Sequence, residues 1–103
     1  MKEVRVGKWV IGRQRPFVLM AGPCVLEDEG LTGEIALSLK EITEKLQIPF
    51  IFKASYDKAN RTSLTGYRGP GAGPGLKILS RIKGRYDIPL LSDVHRFEEL
   101  DQA

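Results

Sequence analysis

The chain has 103 residues, 42% hydrophobic, 28% charged and 8% aromatic, an ordinary globular composition with room for one domain. No stretch approaches the roughly 18 apolar residues of a membrane helix, and the Met1 region lacks the apolar core of a signal peptide; the expectation is a cytoplasmic protein without a membrane partner. Sixteen Lys plus Arg against thirteen Asp plus Glu give a charge of +3, and the one cysteine, Cys24, excludes an internal disulfide and leaves thiol chemistry.

Residues 1–15 read as a β-hairpin that forms a lid or plug. Val4 and Val6 alternate with polar residues, Gly7-Lys8 turns the chain, and Trp9, Val10 and Ile11 return. The continuous apolar run Phe17-Val18-Leu19-Met20-Ala21, bounded by Gly12 and by Gly22-Pro23, predicts a strand buried on both faces. Leu31, Ile35, Leu39, Ile42 and Leu46 recur at helical spacing and predict an amphipathic helix with Glu34, Lys40, Glu41, Glu44 and Lys45 on its wet side. Pro49 ends that helix, and Phe50-Ile51-Phe52 makes a second buried strand running into Lys53-Ala54-Ser55. Leu76, Leu79 and Ile82 mark a second helix from Gly75 to Tyr86. Ile88-Pro89-Leu90-Leu91 is a third strand leading to Ser92-Asp93-Val94-His95, and Phe97-Glu98-Glu99-Leu100 starts a third helix.

This alternation of strand and helix predicts an α/β fold with a parallel sheet and right-handed crossovers. Three apolar strands leave open edges, which complete parallel domains cover or close, and a (β/α)8 barrel needs roughly 250 residues. The expectation is the N-terminal portion of a TIM barrel: residues 1–15 the hairpin, 16–103 the first three β/α units. The absence of an exit signal at Ala103 reads as a cut within a longer protein.

In parallel α/β folds the ligand sits at the carboxyl ends of the strands. Cys24, Lys53 with Ser55, and Asp93 with His95 follow the three strands and should converge on one rim. Cys24 is either a ligand for a soft or borderline metal or an inert buried thiol. His95 beside Asp93 is either an imidazole–carboxylate pair facing the rim or a structural histidine. Between Lys53 and Arg68, four cations (Lys53, Lys58, Arg61, Arg68) meet one acid, Asp57, which reads as an anion site on a loop, the alternative being an exposed basic loop without a ligand. Ammonium groups, a guanidinium and hydroxyls together suit an enzyme handling two anionic small molecules. Nucleic acid fits poorly, since only Tyr56 and Tyr67 lie near the cations for base stacking. The run Gly69-Pro70-Gly71-Ala72-Gly73-Pro74-Gly75 matches neither G-x-G-x-x-G nor a P-loop, and reads as a tight loop that lets Arg68 approach a ligand.

The ordered set A-G-P-C at 21–24, K-A-S-Y-D-K-A-N-R-T-S at 53–63, R-G-P-G at 68–71 and S-D-V-H at 92–95 closely resembles the 3-deoxy-D-manno-octulosonate 8-phosphate synthases, or 2-dehydro-3-deoxyphosphooctonate aldolases. The resemblance implies a barrel transferase that condenses phosphoenolpyruvate with arabinose 5-phosphate in Kdo and lipopolysaccharide biosynthesis. By it, Lys53 and Lys58 would be the catalytic lysines holding phosphoenolpyruvate. Asn60, Arg61 and Thr62 would receive arabinose 5-phosphate, and Asp93 would help line the same site. Cys24 would match the metal-ligand cysteine of the metal-dependent branch, for Zn²⁺, Fe²⁺ or Mn²⁺, the other ligands and a third lysine coming from later strands. The complete enzyme would be a homo-oligomer, a tetramer. Thr62 replaces the usual serine but keeps the hydroxyl, and residues 71–75 are richer in Gly and Pro than the usual loop. The runners-up are a 3-deoxy-7-phosphoheptulonate synthase-like enzyme, whose second-strand motif resembles K-P-R instead of Lys53-Ala54-Ser55, and an inactive truncated phosphometabolite-binding fragment.

Overall fold

The computed structural model describes residues 2–57 and 68–103. Strands β1 (Val4–Val6) and β2 (Trp9–Ile11) form an antiparallel ladder joined across Gly7 and Lys8, where Gly7 takes the left-handed φ of 57° that glycine accepts without strain. Strands β3 (Leu19–Ala21), β4 (Phe50–Lys53) and β5 (Leu90–Leu91) form a parallel sheet in that order, with helix α1 (Glu29–Leu46) between the first two and α2 (Ala72–Tyr86) between the last two. The described chain is thus an α/β unit with two strand–helix–strand crossovers.

β4 is central and its residues 50–52 are buried, because neighbours pair with it on both sides and the helices cover one face. Side chains alternate along a strand, so Phe50, Phe52 and Ala54 face the helical core with Leu79 and Ile82, while Ile51, Lys53 and Ser55 face away from it. The Phe50 and Phe52 rings meet edge to face at 6.4 Å. β3 lies at the sheet edge. The expected five-residue strand buried on both faces is therefore three residues long, with Met20 half-exposed and Phe17 69% exposed. The ladder of the third strand is likewise limited to Leu90 and Leu91.

Helix α1 starts where the Asp28 carboxylate accepts from the Leu31 N–H at 2.7 Å, a cap worth about 1 kcal/mol. It ends at Gln47 in the left-handed conformation. Its buried face differs from the expected one: Thr32, Gly33, Ala36 and Thr43 face inward, Ile35 and Leu39 are half-buried, and Leu31, Ile42 and Leu46 are exposed. Small residues let the helix axis approach its neighbours, and the Thr43 hydroxyl is satisfied by the Leu39 carbonyl at 2.7 Å. Hydropathy spacing alone ranks leucine above threonine and so misplaces the stripe. Lys40, assigned to the wet side, donates to the Tyr86 carbonyl at 2.6 Å, placing a cation at the negative end of α2. At the other end of the pair, Arg81 grips Glu29 through two bonds of 2.8 and 2.6 Å.

α2 begins at Ala72, three residues before the expected start, so the Gly/Pro run is its first turn and not a free loop. Pro74 is tolerated there because first-turn N–H groups lack intrahelical partners. Gly75 is required by packing, since a Cβ on it would stand 2.4 Å from the Tyr56 Cβ. The expected third helix is a single 3₁₀ turn, Phe97–Glu99. The hairpin packs at the amino ends of the strands, where the Trp9 indole donates to the Phe50 carbonyl at 3.0 Å. It therefore lies at the opposite end of the sheet from the carboxyl-end residues. Among the described residues no helix is long and apolar enough to cross a membrane.

Candidate active site

The register decides what meets at the carboxyl end of the sheet. Lys53 pairs with Leu91, so two residues further along each strand Ser55 comes opposite Asp93. Between β3 and β4 the spacing is uneven. Ala21 pairs with Phe52 and Val25 bridges Ser55, so four steps on one chain match three on the other. The extra residue falls in Gly22-Pro23-Cys24, and Gly22 touches the β4 backbone so closely that a Cβ on it would stand 1.8 Å from the Lys53 carbonyl oxygen.

From this frame a polar chain follows. The Lys53 Nζ donates to the Ser55 Oγ at 3.0 Å, the Ser55 hydroxyl donates to Asp93 Oδ1, and the Lys53 Nζ lies 3.8 Å from the same carboxylate oxygen. The other carboxylate oxygen of Asp93 stands 3.3 Å from His95 Nε2, which is shielded from solvent and makes no hydrogen bond among the described residues. The two groups are close without a hydrogen bond between them, so the expected imidazole–carboxylate pair is present as proximity alone. Ser55 is 4% exposed, whereas the Asp93 side chain is 47% exposed. Burial opposes ionisation of Asp93. The Ser55 hydroxyl, its own backbone N–H, Lys53 and His95 outweigh that and hold the carboxyl below the usual aspartate range. The result is a fixed ammonium and a fixed carboxylate side by side at the strand ends, joined by a buried hydroxyl.

Behind them Tyr56 is fully buried. Its phenol donates to Glu99 Oε1 at 2.6 Å, accepts from the His95 backbone N–H at 3.4 Å, and its ring stands edge-on to the His95 ring at 5.5 Å. Burial first, then donation to Glu99, raises the phenol pKa, with Asp93 adding to the effect and the His95 N–H opposing it.

Lys53 and Asp93 are thus brought together. Cys24 follows β3 at the same end of the sheet and is exposed, contrary to an inert buried thiol; it lines a cavity of about 240 Å³ with Leu31, Thr32 and Ile35. Among the described residues no hydrogen bond or ion pair links it to Lys53 or Asp93, and no group of three His, Cys, Asp or Glu side chains gathers to hold a metal. Lys58, Asn60, Arg61 and Thr62 lie outside the described residues. Arg68, expected to approach a ligand, forks onto Asp57 through bonds of 2.7 and 3.1 Å. Glu99 was missed by sequence reasoning, and Ser55, placed on the rim with Lys53, was not connected to Asp93, because only the fold brings Glu99 to Tyr56 and Ser55 to Asp93. A second cavity, about 440 Å³ and lined by Trp9, Thr43, Pro49 and Pro89 among others, lies at the hairpin end, away from this chemistry.

Comparison with known proteins places the chain among relatives of one name. The chain is 52% identical over 103 residues to the 2-dehydro-3-deoxyphosphooctonate aldolase of Geotalea uraniireducens, covering 100% of this chain and 38% of that protein. It is 50% identical over 95 residues to the aldolase of the same name from Fusobacterium nucleatum (92% of this chain, 34% of that one). It is 59% identical over 85 residues to that of Polaromonas sp. (82% and 30%). The chain therefore matches about a third of the length of these curated relatives. The family model described as the DAHP synthetase I family matches residues 2–103, and the chain belongs to that family.

Proposed function

We propose that the chain is the opening portion of a (β/α)8 barrel enzyme, residues 1–15 its hairpin and 16–103 its first three β/α units. The enzyme condenses phosphoenolpyruvate with arabinose 5-phosphate and water, giving 3-deoxy-D-manno-octulosonate 8-phosphate and inorganic phosphate. One observation carries this reading: the Lys53–Ser55–Asp93 chain at the carboxyl ends of adjacent parallel strands, in a sequence about half identical to proteins named for that aldolase.

In this reading Lys53 and Lys58 hold the carboxylate and phosphate of phosphoenolpyruvate, while Asn60, Arg61 and Thr62 receive arabinose 5-phosphate. An ammonium has three donors, and Lys53 uses one on Ser55, which leaves it able to bind an incoming oxyanion. Asp93 is charged near neutral pH and would repel both substrates if it met their phosphates. Its use is to hold Lys53 in place and to accept from sugar hydroxyls. Two polyanions must be held against mutual repulsion, so fixed cations and orientation supply much of the rate gain. Cys24 fits as one ligand of Zn²⁺, Fe²⁺ or Mn²⁺, being an exposed thiol at a strand's carboxyl end, with the remaining ligands outside the described residues. When bound, such a metal supplies Lewis-acid polarisation of the sugar aldehyde. The enzyme belongs in the cytoplasm as a homotetramer that serves lipopolysaccharide synthesis and binds no nucleic acid.

The test is phosphate release by the full-length enzyme carrying this chain, from phosphoenolpyruvate with either arabinose 5-phosphate or erythrose 4-phosphate. Turnover with the five-carbon sugar is expected. Turnover with erythrose 4-phosphate alone would move the assignment to the heptulosonate reaction, and none with either would leave a binding role.

A further inference from the structure

We infer that Tyr56 is a positioning residue, which holds the Asp93–His95 segment against the end of β4 through its ring on His95 and its hydroxyl on Glu99. This rests on the functional reading above for its consequence in turnover, but not for its consequence in structure.

Tyr56 is the meeting point of three segments that are distant in sequence. Its backbone carbonyl accepts from the Gly71 N–H at 3.0 Å, at the start of α2. Both glycines beside it are fitted to it: a Cβ on Gly75 would reach its Cβ at 2.4 Å, and one on Gly69, at φ 109°, its carbonyl oxygen at 2.6 Å. The residue is thereby fixed from behind. From the front its ring and hydroxyl engage His95 and Glu99, which both follow the exit of β5. β5 itself contributes a ladder of only two residues, too short to hold that exit segment by backbone pairing. Asp93 is half-exposed, and its place opposite Ser55 depends on where the chain goes next. A buried phenol bound to a carboxylate is a directional tether at that point, since leaving either partner unpaired costs free energy.

The experiment uses the full-length enzyme carrying this chain, with Tyr56→Phe, Tyr56→Leu, Glu99→Gln and Glu99→Ala. Two readouts are taken: amide exchange at His95, and kcat/KM with its pH dependence. Tyr56→Phe keeps the ring and should accelerate His95 amide exchange while lowering kcat/KM about fivefold. Tyr56→Leu loses the ring as well and should lower kcat/KM by about fiftyfold, as expected for a displaced catalytic group. Glu99→Gln keeps an acceptor and should stay close to wild type, whereas Glu99→Ala should match Tyr56→Phe. In Tyr56→Leu the acid limb of the pH profile should move to higher pH as Asp93 leaves the hydroxyl of Ser55, Lys53 and His95, the groups that face it. Should Tyr56→Leu fail to fold, the Phe and Glu99 variants still decide. His95 exchange unchanged in Tyr56→Phe and Glu99→Ala would overturn the inference. So would a loss in Glu99→Gln equal to that in Glu99→Ala. If the parent enzyme shows no turnover, the exchange measurement still tests the tether, while the functional reading fails by itself.

Discussion

Ser55→Ala removes one hydroxyl from the centre of the candidate site, and its effect can be worked out from the structure. The hydroxyl accepts from Lys53 and donates to Asp93, so the substitution leaves the ammonium without one acceptor and the carboxylate without one donor. Hydrogen bonds to charged groups contribute about 1.5–3 kcal/mol. Asp93 is 47% exposed, however, and water both screens it and substitutes for the lost donor, so the net loss should be about 1 kcal/mol at neutral pH. The sign with pH is fixed by the lowered pKa of Asp93. Such a carboxyl stabilises the fold above its unfolded pKa, and that contribution disappears as the pH falls through the folded one. The stability gap between wild type and Ser55→Ala should therefore be widest near neutrality and close in acid, with the Asp93 carboxyl titrating at higher pH in the variant. Carbon-detected NMR of aspartate-labelled full-length enzyme measures that titration directly, and denaturant unfolding at two pH values measures the gap. Identical Asp93 titration in the two proteins would refute the assignment of Ser55 as the group that holds the carboxylate charged.

Gly22→Ala places a Cβ 1.8 Å from the Lys53 carbonyl oxygen, a backbone atom that cannot swing aside, and should destabilise by about 3 kcal/mol, lowering the unfolding midpoint in denaturant. Arg61→Ala should weaken arabinose 5-phosphate far more than phosphoenolpyruvate, and Lys53→Ala the reverse; separate ligand titrations distinguish them, and equal effects on both ligands refute the assignment. Chelation should abolish turnover of the full-length enzyme and a divalent ion restore it, with Cys24→Ala preventing the recovery; full activity of a verified metal-free sample would demote Cys24 to a packing residue.

The order of strands and helices was legible because each element carries its own periodicity: Phe50-Ile51-Phe52 is uniformly apolar, and Leu76, Leu79 and Ile82 keep helical spacing. What lay beyond the sequence was relative placement. The inward face of α1 turns on Thr32, Ala36 and Thr43, residues whose value is their small size and their ability to satisfy a hydroxyl on the preceding turn, and neither property appears in a hydropathy pattern. Gly71 to Gly75 read as a loop because glycine and proline are poor in helix interiors, yet a first turn tolerates both and the glycine is required against Tyr56. At the candidate site the residue types were legible and the connections were not. Lys53 and Asp93 were identifiable as strand-end residues, but that they share Ser55 follows from a register that only the folded sheet fixes.

That register also bears on how an acidic residue would serve in the anion site proposed above. A lysine at the end of a buried strand, free of any partner, would reorient among rotamers and lose entropy on each binding event, roughly 1.5–2 kcal/mol for a long side chain. Ser55 and Asp93 hold the Lys53 ammonium in place, so in the proposed site an incoming anion need not order it. Asp93 is suited to this because it is exposed enough to keep its charge hydrated and fixed enough, through Ser55, to stay within 3.8 Å of the nitrogen. The Lys53 ammonium bonds to the neutral serine and only approaches the carboxylate, so in the proposed site Asp93 orients it while leaving its remaining N–H donors for an incoming oxyanion. The division of labour along β4 follows: its buried aromatic residues anchor the strand to the helices, and its last residues, on the opposite face, carry the charge.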